Sequence, residues 1–240
     1  MGIAQWLVSI GRIDIAYTTN QLSRHNVVPR KGHLEFVKSM FGFLHQWNHR
    51  SIVTEGKKEP YFIKDLEYKK IKVPGNMKET YPESLLEDLS DAPKPMGKPV
   101  KISIFVDASL ASLKDNMSSV TGIAIFIGDM LFRYSSKRQK SIATSTYSAE
   151  FVALRHAVEE AQAARFLLQS IGVNIDGPVN IYSDNESVLK SAQTPGNKLK
   201  RRHVAIANHA VREAYATGLV DLFHISGIDN PADVLTKPLV

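Results

Sequence analysis

The stretch Val100-Lys101-Ile102-Ser103-Ile104-Phe105-Val106-Asp107-Ala108-Ser109 decides the fold: a β-branched and aromatic run that stops on an acid. Runs of this kind, bounded by polar residues, read as buried strands. A second run, Val120–Ile127, is followed by the turn residues Gly128 and Asp129 and a third run, Met130–Tyr134. That spacing predicts hairpin-linked antiparallel strands. A long helix is predicted next, about Thr146–Ile171, with Phe151, Leu154, Val158, Ala161 and Leu168 on one face and Gly172 as its stop. Pro178–Ser183 reads as a fourth strand, Asp184–Ala192 as a short helix, and Leu199–Ala216 as a further helix stopped by Gly218. Leu219–Ile225 is a fifth strand, and Pro231 opens a final helical turn. The predicted order, βββαβααβα over 100–240, defines an α/β domain with a mixed sheet.

Two regions precede it. Residues 1–50 read as helical: Leu34, Val37, Phe41 and Leu44 recur at spacings of three and four, and an earlier helix is expected over Ile13–Leu22. Residues 51–99 read as an extended connector, with prolines at 60, 74, 82, 93, 95 and 99, an acidic end, and a short helix expected near Pro82–Leu89. A structureless loop this long is unusual inside a compact domain, so it is expected to run over the surface between two units.

The chain has 240 residues, 43% of them hydrophobic and 22% charged, which is ordinary globular composition. Its net charge of +6 is compatible with a nucleic-acid partner. It has no cysteine, which excludes disulfides, thiolate zinc sites and cysteine nucleophiles and fits an intracellular protein, cytoplasmic or nuclear. No apolar run approaches the roughly 20 residues of a membrane helix, and the start lacks the pattern of a secretory signal, so no membrane partner is expected.

Four carboxylates fall at telling places. Asp107 ends the first apolar run and Asp184 ends the fourth; ligands of open α/β sheets sit beyond the carboxyl ends of parallel strands. Glu150 lies one turn into the long helix at the border of its apolar face, and Asp233 lies in the first turn of the last helix. Hard oxygen ligands in this number suit Mg²⁺ or Mn²⁺. A pair of such ions about 3.5–4 Å apart activates a water and stabilises the leaving oxygen of a phosphodiester. Each acid also has an ordinary reading: Asp107 as a turn residue, Asp184 as a helix cap, Glu150 as a surface charge, Asp233 as a partner of the helix dipole. Four such coincidences, in the order Asp, Glu, Asp, Asp at strand ends and helix starts, are a poorer account than one shared site.

At these residues the sequence resembles the ribonuclease H domain of copia-type retrotransposon polyproteins. The resemblance is carried by Val106–Ser109, Tyr134–Lys140, Ser145–Leu154, Ser183-Asp184-Asn185 and Ala232–Leu239, over about 100–240. It extends to Asp14–Tyr17, Asn20–Arg24 and Pro29–His33, which look like that family's segment between polymerase palm and ribonuclease H, so 1–50 is thumb- or connection-like. The resemblance implies a ribonuclease H-like five-stranded mixed sheet with its first strand central and flanking helices. It implies Asp107, Glu150, Asp184 and Asp233 as ligands of two Mg²⁺ ions, with Mn²⁺ able to substitute. The implied reaction is hydrolysis of the RNA strand of an RNA–DNA hybrid, leaving a 5′-phosphate and a 3′-hydroxyl. There are departures. Many cellular ribonucleases H carry a histidine in the loop before the last aspartate, and Ser226–Ala232 has none; Ala205 stands where many relatives have an aspartate. No Tyr-x-Asp-Asp stretch is present, so a polymerase portion or subunit is the expected partner.

Two basic runs are candidate phosphate contacts: Lys198, Lys200, Arg201 and Arg202, and a second with Arg133, Lys137, Arg138 and Lys140. Their ordinary reading is a solvated helix end or loop. Asn185, beside Asp184, is a candidate contact to the 2′-hydroxyls that mark the RNA strand. His203 reads as a packing residue, His209 and His224 have no evident partner, and Trp6 and Trp47 read as helix-packing residues. Two rivals remain: a catalytically silent ribonuclease H-like module that binds hybrid or scaffolds a polymerase, and a transposase- or integrase-like nuclease. The second usually places its glutamate last, whereas here it is second.

Overall fold

Along the deciding stretch the side chains alternate. Ile102, Ile104, Val106 and Ala108 enter one apolar core and Phe105 enters another, so this strand is covered on both faces. The computed structural model describes residues 1–72, 92–113, 117–141, 143–195 and 202–238, with backbone alone at 112–113 and 202–207. In chain order the helices are α1 (Gly2–Ser9), α2 (Ala16–Ser23), α3 (Lys31–Gln46), α4 (Thr146–Ser170), α5 (Glu186–Gln193) and α6 (Arg202–Ala216). The strands are β1 (Tyr68–Lys69), β2 (Met96–Val100), β3 (Ile102–Leu113), β4 (Ser118–Ile127), β5 (Met130–Arg138), β6 (Val173–Ile175), β7 (Val179–Ser183) and β8 (Val220–Ile225).

The main sheet has the order β1-β8-β7-β3-β4-β5. Strand β3 is central: it pairs antiparallel with β4 and parallel with β7, and β7 pairs parallel with β8. This is the mixed sheet expected from the sequence, with one strand more. The addition, β1, comes from the stretch read as a connector and pairs antiparallel with β8 through Tyr68↔Ile225 and Lys69↔His224. The connection from β7 to β8 runs through α5 and α6, as a parallel pair requires. Helix α4 begins where the Ser145 side chain accepts the Ser148 backbone N–H at 3.2 Å, capping a free amide. It packs against β3, β4 and α6.

The opposite face of the sheet is an aromatic floor. Phe105 stacks on Tyr182 at 4.8 Å and Tyr182 on Phe223 at 5.3 Å, one ring from each of β3, β7 and β8. Phe62 and Tyr68 close over it: Phe62 lies 5.5 Å from Phe105 and Tyr68 meets Phe223 edge-on at 5.3 Å. The 54–58 stretch is pinned to the β4–β5 turn, where the Asp129 carboxylate accepts the Thr54 hydroxyl at 2.9 Å and the Glu55 backbone N–H at 2.5 Å. Helix α2 packs on β5, where Asn20 Nδ2 donates to the Ser136 carbonyl at 2.5 Å.

Some expected detail differs. The apolar run of β3 ends at Val106, but the strand continues past Asp107, because β4 stays paired with it to Leu113↔Ser118. In α3 the inward stripe is Val37, Met40 and Leu44; Leu34 is 56% exposed and Phe41 40%, because only the small core with α1 and α2 covers this helix. Trp6, read as a packing residue, is 60% exposed. The helix expected near Pro82–Leu89 lies outside the described residues.

Candidate metal centre

Three of the four carboxylates meet. Asp107 comes from central strand β3, opposite Gly122; Glu150 from the first turns of α4; Asp184 from the residue after β7. One oxygen from each lies within 4.8 Å of the other two. The meeting follows from topology. The β3–β7 pairing ends at Phe105↔Tyr182, so both strands deliver their next residues to the same edge of the sheet. The capped start of α4 lies over that edge, so a glutamate in its early turns reaches the same point.

Asp233 arrives separately, in a 3₁₀ turn over Pro231–Leu235, and is not one of the three that meet. This turn is fastened to β3 at two points. Asn230 Nδ2 donates to the Val106 carbonyl at 3.0 Å, while Asn230 Oδ1 accepts the Ala232 N–H at 3.1 Å. The Thr236 hydroxyl donates to Asp107 Oδ2. The fit is close enough that a Cβ on Gly122 would stand 2.8 Å from Leu235 Cβ and 2.9 Å from the Ala232 carbonyl oxygen.

The electrostatics are those of acids short of compensation. Asp107 is 3% exposed and Glu150 6%. Burial pushes Glu150 up to about 9, helped by the like charges of Asp107 and Asp184. Burial also pushes Asp107 up to about 6 against the Thr236 hydrogen bond, which favours the charged form. Asp184 is raised by burial as well, and the repulsion of Asp233 adds to it. The nearby ammonium is that of Lys237, whose Nζ lies 2.5 Å from Asp233 Oδ2. Among the described residues, Asp184 Oδ1 and Asp233 Oδ1 are buried with no hydrogen-bond partner. Native structures rarely leave such atoms unmatched. Two unmatched oxygens beside three converging acids fit the demands of a hard divalent cation, whose ligands are carboxylate oxygens and water.

The remaining candidate contacts divide. Asn185 is the N-cap of α5: its Oδ1 accepts the Val188 N–H at 3.1 Å, the role the sequence left open for Asp184. Lys137 and Arg138 are exposed at the end of β5. Both line a groove of about 740 Å³ between β5 and α4, and Arg138 also lies by Asn20, Arg24 and His25 of the N-terminal helices. Lys198, Lys200 and Arg201 lie outside the described residues, as does the side chain of Arg202. Sequence reading missed Thr236, Lys237, Asn230 and Gly227. A Cβ on Gly227 would stand 2.9 Å from Asp184 Oδ2, so the loop that lacks a histidine comes close to the site. It also missed His224, whose Nε2 donates to the Asp184 carbonyl oxygen at 3.1 Å. The one available signal was the Asp233–Lys237 spacing of four, which places a cation one turn from an acid.

Fold and site together define a class: an α/β protein with a mixed sheet and an acidic centre where its central parallel strands β3 and β7 cease to pair. Proteins similar to it are retrovirus-related Pol polyproteins from transposons. The chain is 26% identical over 239 residues, all of its length, to the retrovirus-related Pol polyprotein from transposon RE1 of Arabidopsis thaliana. It is 29% identical over 143 residues, 60% of the chain, to that from transposon RE2 of Arabidopsis thaliana. It is 29% identical over 133 residues, 55% of the chain, to that from transposon TNT 1-94 of Nicotiana tabacum. The chain spans 14% of the RE1 polyprotein and 10% of each of the others. No protein-family model matches it. Solved structures similar to it include the N-terminal RNase H domain of rv2228c from Mycobacterium tuberculosis, with a TM-score of 0.43 and 13% identity over 57% of this chain and 90% of that one. RNase H1 from Halobacterium salinarum has a TM-score of 0.42 and 18% identity over 56% of this chain and 93% of that one. No helix among the described residues is long and apolar enough to cross a membrane.

Proposed function

We propose that this chain is the ribonuclease H module of a copia-type retroelement and hydrolyses the RNA strand of RNA–DNA hybrids. The observation that carries the reading is the meeting of Asp107, Glu150 and Asp184, one oxygen from each within 4.8 Å of the others. Acids from three separate elements, buried and mutually repelling, cost stability unless a cation binds them. In this reading Asp107, Glu150, Asp184 and Asp233 hold two Mg²⁺ ions, with Mn²⁺ able to replace them. Divalent cations bound there supply a water acidic enough to attack a phosphodiester and positive charge for the leaving oxygen.

The chain's own residues do the rest. The Thr236 hydroxyl donates to Asp107 and favours its charged form against the effect of burial. The two bonds of Asn230 hold the Asp233 turn against β3. Lys137 and Arg138, at the end of β5, are the proposed contacts to the backbone phosphates of a duplex, with Lys198, Lys200, Arg201 and Arg202 as a second basic contact. Asn185, beside Asp184, is the proposed contact to a 2′-hydroxyl of the RNA strand, through its amide N–H while its oxygen caps α5. A polymerase portion or subunit is the proposed partner, since the curated relatives are Pol polyproteins of which this chain matches a small part.

The test is an end-labelled hybrid incubated with the chain and Mg²⁺. The expected result is shortening of the RNA strand alone, abolished by chelation and reduced at least 100-fold by D184N while the circular dichroism spectrum is kept. Binding of hybrid without cleavage would replace this reading with the silent scaffold, and cutting of duplex DNA with the integrase-like alternative.

A further inference from the structure

Asp233 is tied down in a way the other three acids are not. One of its oxygens, Oδ2, is held by Lys237 Nζ at 2.5 Å, and the other, Oδ1, is buried without a partner among the described residues. It stands apart from the trio of Asp107, Glu150 and Asp184. Lys237 follows Asp233 by four residues, directly after the Thr236 that grips Asp107. Its side chain is 57% exposed, whereas that of Asp233 is 27% exposed, so the lysine reaches in from solvent and has room to swing away.

We infer that Lys237 is the resident counter-cation of the metal-free centre and competes with a divalent ion for Asp233. The inference rests on the metal-binding reading above. Acids gathered at one edge of a sheet repel one another when charged, and one ammonium offsets part of that repulsion. The same ammonium occupies an oxygen that a cation at Asp233 would use, and its charge opposes the ion's approach. The centre is therefore graded. Lys237 acts on the trio through its charge alone and holds none of their oxygens among the described residues, so its hold falls on Asp233. The second locus, at Asp233 with its unmatched Oδ1, is opened only when Lys237 is displaced. A tight first ion and a weaker second ion follow from the chain's own charges.

The experiment is a Mn²⁺ titration of the metal-free chain at neutral pH, with free Mn²⁺ read by electron paramagnetic resonance, and needs no turnover. The parent chain is expected to bind in two classes. K237Q is expected to tighten the weaker class about fivefold, the size set by loss of one half-exposed ion pair. K237R, which keeps the charge, is expected to retain the parent's affinities. In a D233N background, K237Q is expected to change nothing further. Thermal unfolding adds a second readout: K237Q is expected to melt earlier than the parent without metal and to gain more from Mn²⁺. Equal or weaker Mn²⁺ binding by K237Q overturns this inference and leaves the metal reading standing. Absence of Mn²⁺ binding by the parent overturns both.

Discussion

Glu150 shows what the site asks of a single residue. Buried in the first turns of α4 beside Asp107 and Asp184, it keeps its proton up to about pH 9, and Asp107 keeps its own up to about pH 6. Both folded values stand above the ordinary 4.5 and 3.8, so the metal-free fold binds these protons more tightly than the unfolded chain does. Their penalty is absent below the unfolded values. Metal-free stability therefore falls as pH rises, toward about 6 on account of Asp107 and about 9 on account of Glu150, and then levels off. Unfolding in chelator at pH 5, 7 and 9 checks this, with E150Q expected to remove most of the slope above pH 6; a slope of the opposite sign would contradict it. A divalent ion requires the deprotonated acids, so its stabilisation is expected to grow over the same range. Asp107 and Asp184 were legible from sequence because apolar runs end on them, and Glu150 and Asp233 because they fall in the early turns of predicted helices. Thr236, Lys237 and Asn230 were not, since their roles arise only when the last turn lies against β3.

Elements position these residues through close contact. β4 passes under the C-terminal turn at Gly122, where any side chain would press on Leu235, Thr236 and the Ala232 carbonyl. Gly122→Ala is expected to destabilise the chain by about 1–3 kcal/mol and to lower divalent-ion affinity by moving Thr236 off Asp107. Chemical denaturation and Mn²⁺ titration check both, and a variant as stable as the parent would show that the turn is looser than its contacts imply. The strands and α4 could be read from β-branched runs and the Gly172 stop because their patterning answers to burial on local surfaces. Three features could not. Two residues, Tyr68–Lys69, are too few to alternate, and β1 exists because β8 offers an open edge. The end of an apolar run is not the end of a strand while its neighbour stays paired, as Asp107 shows. Spacings of three and four identify α3 as a helix but do not say which of its apolar residues are covered, and Leu34 and Phe41 stay exposed.

At the scale of the molecule, the stretch before residue 72 completes the sheet. Phe62, Ile63 and Tyr68 roof the floor formed by Phe105, Tyr182 and Phe223, and Ala16 of α2 enters the same core. A shortened chain starting at Ala92 is expected to expose that floor, at roughly 1.5–3 kcal/mol for each large apolar side chain uncovered. Lower thermal stability and binding of a hydrophobic dye are the expected readings; an unchanged melting temperature would make the roof dispensable. The whole arrangement, with sheet, α4, C-terminal turn and roof each fixed against the next, serves to bring carboxylates from distant parts of the chain to one point. Anomalous diffraction from crystals of the full chain grown with Mn²⁺ tests this most directly. The account predicts a strong manganese peak within coordination distance of Asp107, Glu150 and Asp184, and a weaker one toward Asp233. Crystals with manganese only at surface carboxylates, and these three acids ligating nothing, would contradict it.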